Sequence, residues 1–255
     1  MQGVERATET LAVIVPAYNE SERIQGALSQ VLRYLDEAGV EGQVIVVDDG
    51  SADETRALAQ QVATGDARVH IVRYDTNRGK GYAVRQGVAA ADADVIVFLD
   101  ADLSTPVSEI DKVLAAVREG ADLVIGSRFR PGANVMQRQP LLRRAFGAGF
   151  RWLARSMLKL SVSDVTCGFK GFTRDAARRV FALSTINGWA FDAELLVIAE
   201  KLGLKVVEAP ITWNDCRDSR VRPLANAVEA WRQLRAIRRN LREGVYEGSH
   251  SQAQE

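Results

Sequence analysis

The sequence predicts an α/β fold with a doubly wound, mostly parallel sheet. Short apolar segments rich in β-branched residues alternate with amphipathic segments of helical period between residues 11 and 127, the order found when helices cover a parallel sheet. Polar residues follow each apolar segment at its end. Because ligands of such sheets bind outside the carboxyl ends of the strands, these polar residues predict a binding site along one edge.

Strands and helices can be assigned in order along the first half of the chain. Apolar runs predict strands at residues 11–15, 44–47, 69–74, 95–99 and 123–125. Apolar residues at helical spacing predict intervening helices around residues 24–35, 57–62, 84–88 and 113–117.

The second half is less regular. We expect helices over residues 138–160, from residue 189 onward and from Pro223 onward, with a strand at residues 206–211. Residues 164–172 fit either a loop or a strand. Residues 1–242 are predicted to form a single domain, and the polar tail, residues 243–255, is expected to be disordered.

The composition is that of a globular protein, with 47% hydrophobic and 26% charged residues. No run approaches the roughly 20 apolar residues of a membrane-spanning helix, and a polar start predicts no signal peptide. The chain is therefore expected to be intracellular. Charge is asymmetric, because residues 1–137 hold 13 Lys+Arg and 21 Asp+Glu while residues 138–255 hold 20 and 12. This predicts an anionic partner or surface for the second half.

The central motif is Asp100-Ala101-Asp102, directly after an apolar strand. Residues at i and i+2 of an extended chain point the same way, so Asp100 and Asp102 are candidates to share one divalent cation. Hard carboxylate oxygens suit Mg²⁺ or Mn²⁺. The alternative is that Asp102 or Ser104 only caps the helix that follows. The motif alone does not separate these two interpretations.

Four other polar clusters end strands. They are residues 18–20, 48–51, 77–81 and 127–128. The Gly79-Lys80-Gly81 loop is a candidate for phosphate contacts through backbone N–H groups and the Lys80 ammonium, although a flexible turn with a solvated lysine is the alternative. The glycine patterns of Walker loops and dinucleotide-binding oxidoreductases are absent.

Together these motifs resemble the inverting family 2 glycosyltransferases. The resemblance covers about residues 11 to 242 and includes the segments 13–20, 46–51, 77–81, 100–102, 126–128, 164–170 and 189–194. Within that family the second half is most similar to the dolichyl-phosphate β-glucosyltransferases and other polyprenyl-phosphate sugar transferases. The resemblance implies a nucleotide-diphospho-sugar transferase fold, with residues 11–128 binding the nucleotide sugar and residues 129–242 facing the acceptor and the membrane.

The resemblance also implies roles for individual residues. Asp100 and Asp102 would hold Mg²⁺ or Mn²⁺, and Asp192 and Arg128 are the catalytic candidates. Apart from the resemblance, side-chain chemistry makes Arg128, Lys170 and Arg222 candidates for the acceptor phosphate, because guanidinium groups bind phosphate oxygens in pairs. The donor would be bound by Pro16, Ala17, Tyr18, Glu20, Asp48, Asp49, Gly50, Ser51, Lys80, Asp100 and Ala101.

The predicted reaction is inverting transfer of a hexose, glucose from UDP-glucose, to a polyprenyl or dolichyl phosphate. Three alternatives stay open at this point. They are another donor such as GDP-mannose, a soluble hydroxyl acceptor with Asp192 as base, and a non-catalytic nucleotide-binding or membrane-adaptor protein. No nucleic-acid partner is expected.

A basic amphipathic helix is predicted at residues 138–160. One stripe is apolar, and the segment carries no acidic residue but six cations: Arg138, Arg143, Arg144, Arg151, Arg155 and Lys159. Such a helix is typical of an interfacial anchor on an anionic membrane surface, which predicts peripheral attachment to the cytoplasmic face. The alternative is a packed surface helix with a solvated basic face.

Overall fold

The computed structural model describes residues 9–136, 141–214 and 223–247. The first half runs β1 (Leu11–Ala17), α1 (Ile24–Ala38), β2 (Gly42–Asp49), α2 (Thr55–Gly65), β3 (Val69–Tyr74), α3 (Lys80–Ala90), β4 (Val95–Phe98), a 3₁₀ turn (Val107–Glu109), α4 (Ile110–Arg118) and β5 (Leu123–Ser127). The second half runs β6 (Asn134–Val135), α5 (Leu141–Leu158), β7 (Lys170–Thr173), α6 (Arg174–Leu183), α7 (Phe191–Lys201), β8 (Val206–Pro210), β9 (Thr212–Trp213) and α8 (Pro223–Arg242).

A seven-stranded sheet organises the molecule, in the order β3-β2-β1-β4-β7-β5-β8. All neighbours pair in parallel except β7, which pairs antiparallel with both β4 and β5. The predicted mostly parallel sheet is therefore confirmed. β6 and β9 form a separate two-stranded parallel ladder.

Helices cover both faces of the sheet. Alternate residues of β1 face opposite layers, with Ala12 and Ile14 packing against α3, α6 and α7, and Leu11, Val13 and Val15 packing against α1 and α4. Because strands buried on both faces contain few polar residues, the polar positions are concentrated at the strand ends. This arrangement places the loops after β1, β2, β4 and β5 along one edge.

The expectation that residues 243–255 are disordered is wrong for residues 243–247, the part of the tail that the structure describes. Residues 243–247 continue from α8, and the Tyr246 side chain is only 1% exposed. Its hydroxyl donates to Glu194 Oε1 at 2.7 Å and accepts from Asn240 Nδ2 at 3.1 Å. Glu194, fully buried on α7, also accepts the backbone N–H groups of Thr185 and Ile186. One aromatic side chain thus joins the tail to the core, and the polar composition around it hides this contact.

Replacing Tyr246 with Phe should lower the free energy of unfolding by about 1.5–3 kcal/mol, the usual contribution of a hydrogen bond to a charged group. The ring volume is conserved, so the loss reports the hydroxyl contact with Glu194. Urea unfolding followed by circular dichroism measures the change. Tyr18→Phe, at an exposed tyrosine, is the matched control and should change stability by less than about 0.5 kcal/mol. An equal loss of unfolding free energy in both variants would contradict the stabilising role assigned to the contact between Tyr246 and Glu194.

Candidate active site

Two loops at the sheet edge are hydrogen-bonded into one unit. After β1, the Asn19 backbone N–H donates to Ser51 Oγ at 2.9 Å, and Asn19 Oδ1 accepts from the Ala52 N–H at 2.8 Å. The Glu20 N–H donates to Thr55 Oγ1 at 2.7 Å. These contacts fix the loops after β1 and β2 against each other. They lie where the strand order reverses around β1, the usual ligand position in such sheets.

Asp48 and Asp49 both support backbone at the end of β2. Asp48 Oδ1 accepts from the Ser51 N–H at 3.0 Å. The two Asp49 oxygens accept from the Arg78 N–H at 2.7 Å and the Gly79 N–H at 3.0 Å. Asp49 therefore positions the loop that carries Lys80, a structural role that the sequence did not predict.

Gly50 allows the loop after β3 to pack closely against the loop after β2. Its φ is +69°, and a Cβ at this position would lie 2.7 Å from the Asn77 backbone nitrogen. Both the left-handed conformation and the close contact favour glycine. The loops after β2 and β3 therefore pack backbone against backbone.

Lys80 and Asp100 form an ion pair at the start of α3 and the end of β4. The pair lies against Gly168, where an added Cβ would lie 2.8 Å from the Lys80 ammonium and 3.1 Å from the Asp100 carboxyl carbon. Burial opposes the charge on Lys80, but the carboxylates of Asp100 and Asp192 together raise its pKa above the ordinary value. Lys80 is thus a stable cation among carboxylates.

Asp102 lies beside this pair. Its Oδ1 accepts from the Ser104 N–H at 2.9 Å, which closes a local turn. The helix-capping alternative is wrong, because the N-cap of the 3₁₀ turn that begins at Val107 is Pro106. Burial, and then the negative charge of Asp100, raises the pKa of Asp102 above its usual value. A cation near both carboxylates would relieve this repulsion.

The two carboxylates fit a divalent metal that takes its other ligands from a diphosphate and water. Within the described ranges, no group of three or more His, Cys, Asp or Glu side chains is arranged to hold a metal ion. A complete protein cage is therefore not formed by those residues. Mg²⁺ and Mn²⁺ need none when substrate oxygens complete the coordination.

Asp192 and Lys170 form a buried ion pair below the carboxylates. Asp192 lies in the first turn of α7, and Lys170 opens β7. The Lys170 ammonium also donates to the Cys167 carbonyl at 2.6 Å. Burial raises the pKa of Asp192, Lys170 opposes this rise, and Asp100 adds to it. Since Lys170 is fully buried, its ammonium supports Asp192, and the predicted direct contact with an acceptor phosphate does not fit this arrangement.

Arg128 is held rigidly at the end of β5. Its Nε and Nη2 donate to the Asp164 carboxylate at 2.7 and 2.8 Å, and Nη2 also donates to Thr166 Oγ1 at 3.0 Å. The Arg128 hydrogen bonds to described residues are made by its backbone N–H, Nε and Nη2, and none by Nη1. The guanidinium holds the pKa of the buried Asp164 below its usual value despite the burial. The Arg128 guanidinium carbon also lies 5.3 Å from the centre of the Trp213 ring.

Three supporting residues were not predicted from the sequence. Asp164 lies within a segment of family resemblance, but no local pattern pairs it with Arg128. The Asn187 carbonyl accepts from the Gly81 N–H at 2.7 Å, and Gln233 Oε1 on α8 accepts from the Ala190 N–H at 2.9 Å. Both contacts brace the elements that carry Lys80 and Asp192. Arg222, the third phosphate candidate, lies outside the described residues.

Comparison with known proteins identifies the family. The model of glycosyl transferase family 2 matches residues 12–181, which include the loops after β1, β2 and β4. This chain belongs to glycosyl transferase family 2. It is a glycosyltransferase, and the match covers both candidate metal ligands. Family membership favours an enzyme over the non-catalytic adaptor considered from the sequence.

Similar curated proteins are dolichyl-phosphate β-glucosyltransferases. That of Trichomonas vaginalis is 36% identical over 82% of this chain and 65% of its own length, and that of Drosophila melanogaster 35% over 88% and 73%. The human protein is 30% identical over 91% and 75%. The chain thus spans roughly two thirds to three quarters of these relatives.

Solved structures share the fold. Glucosyl-3-phosphoglycerate synthase from Mycobacterium tuberculosis in complex with UDP has a TM-score of 0.65 and 23% identity, covering 90% of this chain and 79% of that one. A complex of the same enzyme with Mn²⁺, UDP and glucosyl-3-phosphoglycerate also has a TM-score of 0.65, at 22% identity over 90% and 78%. This similarity confirms the nucleotide-sugar transferase fold. Among the residues that the structure describes, no helix combines the length and apolar character needed to cross a bilayer.

Proposed function

We propose that this glycosyltransferase moves glucose from UDP-glucose, with inversion, onto a polyprenyl phosphate such as dolichyl phosphate. The observation that carries the proposal is the pair of carboxylates, Asp100 and Asp102, beside the braced loops after β1 and β2. The names of the curated relatives support both glucose and a dolichyl-phosphate acceptor.

The donor site combines a nucleoside pocket and a diphosphate site. Pro16, Ala17, Tyr18 and Glu20 from the β1 loop would contact the nucleoside, with Asp48 across the pocket. Asp49, Gly50 and Ser51 would act on the nucleoside by shaping the adjoining loops. Lys80, Asp100 and Ala101 lie at the diphosphate end. The half-exposed Tyr18 ring is available for stacking on a base.

The metal would be Mg²⁺ or Mn²⁺, held by Asp100 and Asp102. When bound, it supplies neutralisation of the charge that develops on the leaving diphosphate. The protein contributes two carboxylates on a short rigid segment, and Lys80 adds a positive charge beside them. These residues also orient the diphosphate, so that the sugar is presented toward Asp192 and Arg128.

The acceptor chemistry needs little proton transfer. A phosphate monoester has a second pKa of about 6 and is largely dianionic at neutral pH. One of its oxygens bonds to the anomeric carbon as the bond to UDP breaks, and no proton must leave. Positioning then dominates, and Arg128 is suited to it because guanidinium groups grip phosphate oxygens. Lys170 would act indirectly, by orienting Asp192.

A soluble hydroxyl acceptor is the second candidate, and Asp192 favours it. A hydroxyl nucleophile must lose its proton during transfer, and a carboxylate with a raised pKa is a better general base than an ordinary one. Asp192 has this property and lies near the candidate metal ligands. The hydroxyl oxygen would bond to the anomeric carbon as the bond from that carbon to UDP breaks, and the hydroxyl proton would pass to Asp192.

The deciding experiment incubates the purified protein with Mg²⁺, one of several nucleotide sugars, and either a short polyprenyl phosphate or soluble alcohols. We expect glucosylated polyprenyl phosphate with UDP-glucose, and no product in EDTA. If only GDP-mannose gives product, the proposed donor is wrong. If only a soluble alcohol is glycosylated, the proposed acceptor is wrong.

We also propose that the protein attaches peripherally to the cytoplasmic face of an anionic membrane through α5. Trp152 is 70% exposed, and Arg155 and Lys159 are exposed beside it. With Arg151 and Ser156 they line a surface groove of about 520 Å³. Phe150 packs against the core and is not part of this exposed surface. Arg138 and the side chains of Arg143, Arg144 and Phe146 lie outside what the structure describes.

Anionic vesicles should therefore bind the protein in a salt-dependent way. Each cation near an anionic surface contributes about 1 kcal/mol, less when salt screens it. The double variant Arg155→Glu, Lys159→Glu should lose most co-sedimentation with phosphatidylserine vesicles at low salt. Arg151 is left intact because its guanidinium stacks 3.9 Å from the Phe129 ring centre.

The matched control is the double variant Arg33→Glu, Arg73→Glu, at exposed cations on α1 and β3. It changes the net charge by the same amount as the α5 double variant. This control variant should keep most of the binding. Equal loss in both double variants would show that net charge, and not the α5 surface, determines attachment.

A further inference from the structure

Lys80 contacts the carboxylate that the metal would need. The Lys80 ammonium is ion-paired with Asp100, and its side chain is 16% exposed while that of Asp100 is 41% exposed. The pair is confined on one side by Gly168, where even a Cβ would overlap it, and the ammonium lies 5.9 Å from the Phe191 ring centre. Its position is therefore defined by packing as well as by charge.

An ammonium and a divalent cation compete for one carboxylate. A metal bound by Asp100 and Asp102 removes oxygen lone pairs that the Lys80 ammonium uses, and the two positive charges repel each other at contact distance. Lys80 must therefore give up at least part of its contact when the metal enters. The flexible lysine stem permits such a movement, whereas the planar, rigid guanidinium of arginine is less adaptable.

Other carboxylates and the diphosphate provide the displaced ammonium with partners. Asp192 and Asp102 are both close enough to influence the charge on Lys80. A donor diphosphate adds two or more negative charges at the same place. The ammonium can therefore move from Asp100 to the diphosphate without becoming an unpaired buried charge.

We propose that Lys80 is an internal counterion that occupies Asp100 until a metal and nucleotide diphosphate arrive together. This inference rests on the metal-dependent transfer proposed above. It predicts weak binding of the metal alone, because Lys80 must be displaced without a new partner. It also predicts strong mutual enhancement between metal and diphosphate, because the diphosphate receives Lys80 while completing the metal coordination.

The test measures Mn²⁺ binding by the full chain through the paramagnetic resonance signal of free Mn²⁺, with no sugar or acceptor present. Lys80→Met keeps most of the aliphatic stem and removes the charge. We expect it to bind Mn²⁺ alone about tenfold or more tightly than the wild type, since a competing charge has left a partly buried carboxylate. Enhancement of Mn²⁺ binding by UDP should shrink by a similar factor.

Two further variants make the result specific. In an Asp100→Asn background, Lys80→Met should no longer improve Mn²⁺ binding, because the contested carboxylate is gone. Arg78→Met, which removes a cation two residues away, should leave Mn²⁺ affinity within about twofold. Circular dichroism checks that each variant is folded, and Lys80→Gln replaces Lys80→Met if the latter is not.

The outcomes separate this inference from the proposed function. If the wild type binds Mn²⁺ with UDP but Lys80→Met gains no affinity for Mn²⁺ alone, the counterion role is wrong and metal-dependent transfer stands. A gain that persists with Asp100→Asn also overturns it. If UDP and Mn²⁺ bind independently in the wild type, the proposed metal site itself fails.

Discussion

Replacing Asp102 with Asn is expected to reduce sugar transfer by roughly 10²–10³-fold or more. A metal that neutralises a leaving group contributes several kcal/mol to transition-state stabilisation, and about 3–4 kcal/mol corresponds to that range of rates. The amide keeps an oxygen that can accept the Ser104 N–H at the place of Asp102 Oδ1. Loss of activity should therefore reflect weakened metal binding, with the fold intact.

Two measurements distinguish a metal defect from other damage. Calorimetry with UDP should show that Mg²⁺ tightens binding in the wild type but not in Asp102→Asn, while binding of uridine alone is unchanged. The unfolding free energy should stay within about 0.5 kcal/mol. Asp92→Asn, at an exposed aspartate before β4 at the opposite end of that strand, is the control and should remain active. Wild-type activity in EDTA, or in Asp102→Asn, would contradict the assigned metal site.

The parallel half of the fold follows directly from the sequence. The predicted strand at residues 69–74 is confirmed without change as β3, whereas β1 extends two residues beyond its predicted end. Pro16 suggested that the strand stopped, since proline lacks a ladder donor. The structure tolerates it because the β1–β4 ladder ends at Ile14, while pairing with β2 continues. Pro16 is thus accommodated at a position where β1 no longer pairs with β4.

The second half was harder to predict because its order depends on distant contacts. β7 has only four residues, one of them Lys170 and another Gly171, so it lacks the apolar pattern of a central strand. It is inserted antiparallel between β4 and β5, and only this placement buries Lys170 beside Asp192. α6 was not predicted at all: four of its ten residues are charged and three of its six apolar residues are alanine, so its apolar stripe is short and weak. Residue type predicted the charges of the site, but their pairing depends on this topology.

Electrostatic pairing changes how the site should be probed by mutation. Arg128→Ala would leave the buried Asp164 without its cation, which costs about 3–5 kcal/mol of stability. A loss of activity in that variant would not separate unfolding from lost acceptor contacts. The double variant Arg128→Met, Asp164→Asn removes both charges together, and the remaining amide can still accept from the Arg128 position's backbone N–H. It is the better test of Arg128.

Asp192→Asn alone would leave the buried Lys170 ammonium without its carboxylate, so the double variant Lys170→Met, Asp192→Asn is the one that should distinguish the two classes of acceptor. With a hydroxyl acceptor it should cost the roughly 10²–10⁴-fold typical of a lost general base. With a phosphate acceptor it should cost less than about tenfold, because the dianionic nucleophile carries no proton to remove. The Arg128→Met, Asp164→Asn variant should then be the more damaged, by roughly 10- to 100-fold, from the loss of charge-assisted hydrogen bonds. Steady-state kinetics on both variants gives the comparison.

The pH dependence gives an independent answer through Lys170. If Asp192 is the base, kcat/KM falls as the pH drops through the raised pKa of Asp192, because the protonated form cannot accept a proton. Lys170 opposes that rise, so Lys170→Met should raise the pKa further and move the acid limb to higher pH. If the acceptor is a phosphate, the acid limb follows the acceptor's own pKa of about 6, and Lys170→Met should leave it in place. A shifted limb together with a larger loss at Asp192 than at Arg128 would contradict the polyprenyl-phosphate acceptor and support a hydroxyl acceptor.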